Sequence, residues 1–186
     1  MRKVNFVDLI IVILVIILVA DITLIIKKHN EHFPIVSKCS EYVNEKHFTE
    51  AIEYAKNHAD IESPALWSCA GDAYYNLGNI SYALDAYKRA QQLQESFWHR
   101  YYNSDLDIHI YTSIARILEE KKEYDEAIMY YRKALKSMKE NRKVRSEYKQ
   151  EYKETLLKIA DILKRKGELE EAEEYENCAI HLCREI

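Results

Sequence analysis

Residues 67–90 read WSCAGDAYYNLGNISYALDAYKRA, and this stretch decides the fold. Trp67, Ala70, Gly71 and Tyr74 lie three or four residues apart, as do Ala83, Ala86, Tyr87 and Ala90, so each half has one side rich in small and aromatic residues. Leu77-Gly78-Asn79 separates the halves. Gly78 suits the left-handed backbone that ends many helices, and Asn79 is a natural turn residue. Ser63-Pro64 marks the start, with proline placed where its missing N–H is harmless. The stretch therefore predicts two antiparallel helices. Gly71 and Ala83 allow their backbones to approach, and Trp67, Tyr74 and Tyr87 fill the space between neighbouring helices.

The same spacing recurs three times, anchored on Ala51, Ala127 and Ala172. The third copy reads Tyr111, Ile114, Ala115, Leu118, Tyr124, Ala127, Tyr131 and Ala134. The fourth reads Leu156, Ile159, Ala160, Leu163, Gly167, Leu169, Ala172 and Ala179. The first, with Ile35, Cys39, Tyr42, Phe48 and Ala51, is weaker: Lys46 replaces the turn glycine and His58 the late alanine. The pattern W-x2-A-G-x2-Y-x3-G-x4-A-x3-Y-x2-A resembles the tetratricopeptide (TPR) repeat, in which stacked helix pairs bury a continuous core. The resemblance implies an all-α solenoid that presents a surface to another protein.

Successive anchors are 32, 44 and 45 residues apart (83−51, 127−83, 172−127), against about 34 in the ordinary repeat. Kinesin light chain repeats are similarly lengthened, a likeness of spacing alone. The extra residues look helical. Ala86, Ala90, Leu93, Phe97 and Tyr101 continue one apolar stripe, which predicts a helix to about Tyr102, a turn at Asn103 to Asp105, and an early start near Ser146 for the fourth pair. Repeats are expected over about 33–63, 64–103, 105–144 and 146–186, forming one solenoid over 33–186.

A second signal lies at the N-terminus. After a short tail at 1–3, Val4 to Ile26 is almost wholly apolar, broken only by Asn5, Asp8, Asp21 and Thr23. As a helix it would reach about 34 Å, enough for a hydrocarbon core of about 30 Å. The stretch predicts a single transmembrane helix over 4–26, followed by a juxtamembrane linker at 27–32. Arg2 and Lys3 on one flank balance Lys27 and Lys28 on the other, so the positive-inside comparison assigns no side. A cleavable signal is the rival reading. Its one cleavage point, after Ala20, has Leu18 where a small residue is needed, and apolar sequence resumes at Ile22.

Composition suits a helical domain, with 31% charged residues but only 3 Gly and 2 Pro in 186. The net charge is −4; residues 1–28 contribute +2, leaving −6 on 29–186, a poor balance for nucleic-acid binding. All three glycines fall at helix crossings or turns, and no phosphate loop, H-E-x-x-H or G-x-S-x-G motif is present. No catalytic residue, cofactor or metal is expected. Cys178, His181 and Cys183 are too widely rotated on one helix to share a metal, and His29, Glu31 and His32 are too close together. The four cysteines read as reduced thiols, with Cys39 and Cys69 as compact apolar groups.

The TPR resemblance further implies that template positions two, five, nine, twelve and thirteen of each first helix face a concave groove. These give Ser68, Asp72, Tyr75 and Asn76 from the second repeat. The third supplies His109, Thr112, Arg116 and Glu119, and the fourth Leu157, Asp161 and Lys164. Family members that grip acidic chaperone tails carry Lys and Asn at positions five and nine; here Val36, Ser40, Ser68 and Asp72 occupy them, so that clamp is not implied. The last helix, with Tyr175, Ile180, Leu182 and Ile186, ends without a polar cap and is a candidate contact for a second copy.

The expectation is a membrane-tethered adaptor that binds a protein or peptide in its groove, with the bilayer held by residues 4–26. The alternatives are a structural subunit whose anchor packs on partner helices through Asp8 and Asp21, and an exported peptide-binding protein.

Overall fold

The computed structural model describes residues 6–95, 104–140 and 148–185. Eight α-helices follow one another among them: α1 (Phe6–Asn44), α2 (Phe48–Asn57), α3 (Pro64–Asn76), α4 (Ile80–Gln94), α5 (Ser104–Glu120), α6 (Tyr124–Glu140), α7 (Lys149–Lys166) and α8 (Leu169–Glu185). A single 3-10 turn, Ala59–Ile61, joins α2 to α3. The end of α1 pairs with α2, α3 with α4, α5 with α6 and α7 with α8, and each pair packs on the next. This is an all-α solenoid of TPR type.

The turns show why the sequence breaks where it does. Lys46, Gly78, Lys122 and Gly167 have φ of 64°, 75°, 62° and 84°, and they stand at one template position in the four repeats. At each, two backbone N–H groups turn back onto the ending helix. Gly78 N–H donates to Tyr75 O and Asn79 N–H to Tyr74 O, both at 2.9 Å; Lys122 and Glu123 repeat the pattern onto Glu119 and Leu118 at 3.0 and 2.8 Å. The motif satisfies carbonyls the helix would otherwise orphan. Two lysines thus hold a conformation that costs an L-residue about 1–2 kcal/mol and glycine nothing extra. At the other end of α3, Ser63 caps the helix, its hydroxyl accepting from Leu66 N–H at 3.4 Å, with Pro64 in the first turn.

Packing divides into two apolar clusters. One lies among α1, α2, α3 and Ala86 and is made mainly of small residues (Cys39, Ala51, Ala55, Cys69, Ala70, Ala73) around Ile52 and Leu66. The other extends from α4 to α8 and holds larger side chains, among them Tyr87, Ile114, Leu118, Tyr131, Ile159 and Leu163. Trp67 and Tyr74 pack against both. Large aromatic rings therefore join the two cores, as their spacing predicts.

Residues 27–32, expected as a juxtamembrane linker, are helical: α1 continues through them without interruption, because nothing there breaks a helix and Lys27 pairs with Glu31 one turn on at 3.9 Å. Pro34 lies inside the same helix and removes one N–H donor without ending it. Cys39 and Cys69, read as free thiols, are joined by a disulfide with Cα atoms 6.3 Å apart, because α1 and α3 run side by side and bring template positions eight and six together. The helix described in the second pair ends at Gln94; the stretch expected to reach Tyr102 and the start near Ser146 fall outside the described residues.

The apolar N-terminal stretch behaves unlike the rest of the chain. From Ile10 to Leu24 every large apolar side chain is exposed, on all faces of the helix. Among the described residues no helix is long and apolar enough to cross a membrane. The described side chains of this stretch cover about 22 Å of helix.

Candidate partner-binding groove

The first helices α3, α5 and α7 carry the expected groove residues, and the structure joins several of them across repeats. Asp72 on α3 lies at the centre. Its carboxylate accepts from the Tyr87 hydroxyl at 2.6 Å and meets His109 Nε2 of α5 at 3.1 Å. Gly71 makes this possible, since a Cβ there would lie 2.7–2.9 Å from the Tyr87 ring. The hydrogen bond to Asp72 raises the His109 pKa, against the opposing effect of burial, and Glu151 of α7 and Arg116 act on it in opposite directions. Tyr87 titrates far above an ordinary phenol because it is buried and faces the Asp72 charge. The Asp72 carboxylate therefore favours the protonated form of His109, while Tyr87 remains a donor.

One turn further, Tyr75 donates to Glu120, and the Arg116 guanidinium stacks on the Tyr75 ring 4.2 Å from its centroid. Such stacking fixes a guanidinium while leaving its N–H fork free. Arg116 has no carboxylate at ion-pair distance, whereas Lys158, Lys164 and Arg165 each pair with at least one. Glu119 is the next junction. It accepts from the Tyr131 hydroxyl at 3.0 Å and pairs with Arg165 at 3.5 Å and Lys158 at 3.7 Å, both on α7, while Asp161 binds Arg165. Burial, reinforced by Glu119, raises Tyr131 as it does Tyr87.

The remaining expected residues are placed differently. Ser68 is 2% exposed and its hydroxyl has no hydrogen-bond partner, so it is not an open groove contact. Thr112 spends its hydroxyl on the Ile108 carbonyl of its own helix at 2.8 Å, and Asn76 donates to the Asp72 carbonyl at 2.8 Å. Leu157 and Lys164 line an open hollow of about 540 Å³ with Leu169, Glu176 and Ile180 of α8. Tyr175, expected on the sticky end of α8, instead accepts a hydrogen bond from Arg132 at 2.9 Å; the side chain of Leu182, and Ile186, lie outside the described residues. Glu120 and Arg165 were missed although they share template position thirteen with Asn76. Among the described residues, no three His, Cys, Asp or Glu side chains converge as a metal site.

Comparison with known proteins agrees with this architecture. Residues 110–185 match the tetratricopeptide repeat family model. A TPR repeat-containing protein of Methanocaldococcus jannaschii is 37% identical over 92 residues, 49% of this chain; the match spans only 14% of that protein's length. Two crystal structures of MamA superpose with TM-scores of 0.63 and 0.61, covering 81% and 80% of this chain and 77% and 70% of theirs, at 18% and 19% identity. At such identity the likeness speaks for the fold alone. The chain is thus a TPR-type solenoid whose residues 110–185 match the tetratricopeptide repeat family by sequence.

Proposed function

We propose that this chain is a membrane-tethered adaptor that holds a partner protein or peptide in the groove formed by α3, α5 and α7. TPR solenoids serve protein–protein recognition, and the observation that carries the groove reading is Arg116: stacked on Tyr75, exposed, and without a carboxylate partner. Its fork is available to a carboxylate or backbone carbonyl of a guest. The Asp72–Tyr87–His109 and Glu119–Arg165 junctions hold the helices on either side in register. We assign the chain no reaction and no nucleic-acid partner.

The tether rests on α1. A helix apolar on all faces is stable in lipid or inside a larger core, and Ile10 to Leu24 are exposed all round in this chain. Together with the apolar residues on either side in the sequence, Val4 to Ile26 has the length of a bilayer span. Membrane fractions washed with alkaline carbonate test this: the full chain stays in the pellet, and Leu14→Arg with Ile17→Arg releases it. Recovery of the intact chain in the supernatant would end the tether reading. Arg116→Ala is expected to reduce recovery of the crosslinked partner from native membranes at least tenfold; unchanged recovery would move the binding surface elsewhere. Self-association through Leu169 and Ile180 is an added expectation, tested by light scattering of the detergent-solubilised chain.

A further inference from the structure

The strongest feature the adaptor reading leaves unused is the Cys39–Cys69 disulfide. It lies in the apolar cluster with the smallest side chains, where the best-buried groups are alanines and the two cysteines around Ile52 and Leu66. That cluster has to hold α1, the helix continuous with the apolar N-terminal stretch, against the rest of the solenoid. The repeat is also the one in which Lys46 occupies the left-handed turn, and Glu62, just before α3, has φ of 47°. A covalent link across this joint closes a loop of 30 residues and so constrains the unfolded chain.

We propose that Cys39 and Cys69 form an oxidised fastener between the anchor helix and the second repeat, and that the solenoid therefore stands on the oxidising side of the membrane. The assignment of a side rests on the membrane-tether reading; the fastener itself does not. Cys39 is fully buried and Cys69 is 5% exposed, so an attacking thiolate cannot reach either sulfur in the folded chain. The bond must form while the chain folds and persist afterwards. Its donor is the disulfide of a thiol–disulfide oxidoreductase. The two cysteine thiols give up two electrons and two protons, one S–S bond forms in this chain, one breaks in the carrier, and the carrier leaves as a dithiol. Such partners and such persistence belong to oxidising compartments, since reducing ones return thiols during folding.

The test uses the full chain with Cys178→Ser and Cys183→Ser, leaving Cys39 and Cys69. Intact cells are quenched in acid and blocked with N-ethylmaleimide, and the denatured protein is then reduced and labelled with a maleimide polymer. Two added polymers per chain are expected; none means that both cysteines were free thiols in the cell and overturns the proposal. Protease added to sealed vesicles of known orientation reads the side: digestion of the repeats only where the oxidising face is accessible supports it, and digestion only from the reducing face overturns it. Carbonate washing of the same sample separates the two readings. Release of a bridged chain removes the membrane side while the fastener stands, and retention of an unbridged chain removes the fastener while the tether stands. In detergent, reductant that attacks the bridge as the chain unfolds should lower the melting midpoint by about 10 °C in this protein and leave Cys39→Ser/Cys69→Ser unchanged. An equal response from both would contradict the fastener.

Discussion

The second and third repeats differ from the fourth at a single template position, occupied by Tyr87, Tyr131 and Glu176. Tyr87 is wholly buried and Tyr131 nearly so, each reaching a carboxylate on its own first helix, Asp72 and Glu119 respectively. These carboxylates in turn meet His109 or Arg165 of the following repeat. Glu176 instead pairs with Lys164 at 2.5 Å and its side chain is 38% exposed. In the second and third repeats the position is an aromatic wedge that couples two repeats, in the first it is the small buried Ala55, and in the last described pair it is a solvated charge. Stability in such a stack is a sum of repeats and interfaces, so the two interior wedges should matter far more than the residue at the end.

The sharpest way to break that contrast is Tyr87→Ala, which leaves a ring-sized cavity and strips Asp72 of a donor. A loss of about 3–5 kcal/mol is expected in chemical unfolding of the detergent-solubilised chain, whereas Glu176→Ala should change it by less than about 0.5 kcal/mol. Equal losses would mean that the position has no special role in the interior. Gly71→Ala comes next. Alanine favours a helix by about 1 kcal/mol, but its methyl would overlap the Tyr87 ring, so the net effect is destabilising by about 1–3 kcal/mol. The same substitution combined with Tyr87→Leu should lose most of its penalty, a non-additivity that a double-mutant cycle measures.

Smaller effects sharpen the comparison from the turns. Lys122→Gly removes left-handed strain between α5 and α6 and should stabilise by about 0.5 kcal/mol after the added chain entropy of glycine. Gly78→Ala, at the matching turn, should destabilise by about 1 kcal/mol. The smallest effect is a pH slope. His109 has a raised pKa in the folded chain, so its contribution is fully present below its unfolded pKa near 6.5 and is lost as pH rises through the folded value. The melting midpoint should therefore fall from pH 6 upward by an amount worth less than about 1 kcal/mol, because the ring is partly exposed and screened. Asp72→Asn should flatten that slope.

The repeats were legible because their constraint is local: a small residue at each crossing and a turn at a set distance before it. Lys46 and Lys122 show that the turn persists even without glycine, since the flanking helices dictate it. What was not legible depends on register between repeats. The insertions that stretch the later spacing to 44 and 45 residues hide which residue of α7 meets α5, so the Glu119–Arg165 and Glu119–Lys158 pairs had no sequence signal. The Cys39–Cys69 bridge joins two repeats of near-ordinary spacing, and the small-residue positions of both cysteines let them read as packing groups. The expected groove residues are placed differently for a separate physical cause. Asp72, Tyr75, His109, Arg116 and Glu119 carry long polar groups that reach between helices, whereas Ser68 and Thr112 are short and remain with their own helix.

If the concave side of α3, α5 and α7 receives a partner, the two faces of the solenoid must differ in what they touch. A photo-crosslinking amino acid at Arg116 or Asp161, compared with one at the exposed second-helix residues Tyr82 or Met129, tests it in native membranes. Both groove positions should trap the same discrete protein and neither second-helix position should; capture from Tyr82 and Met129 alone would mean that the partner docks on the other face.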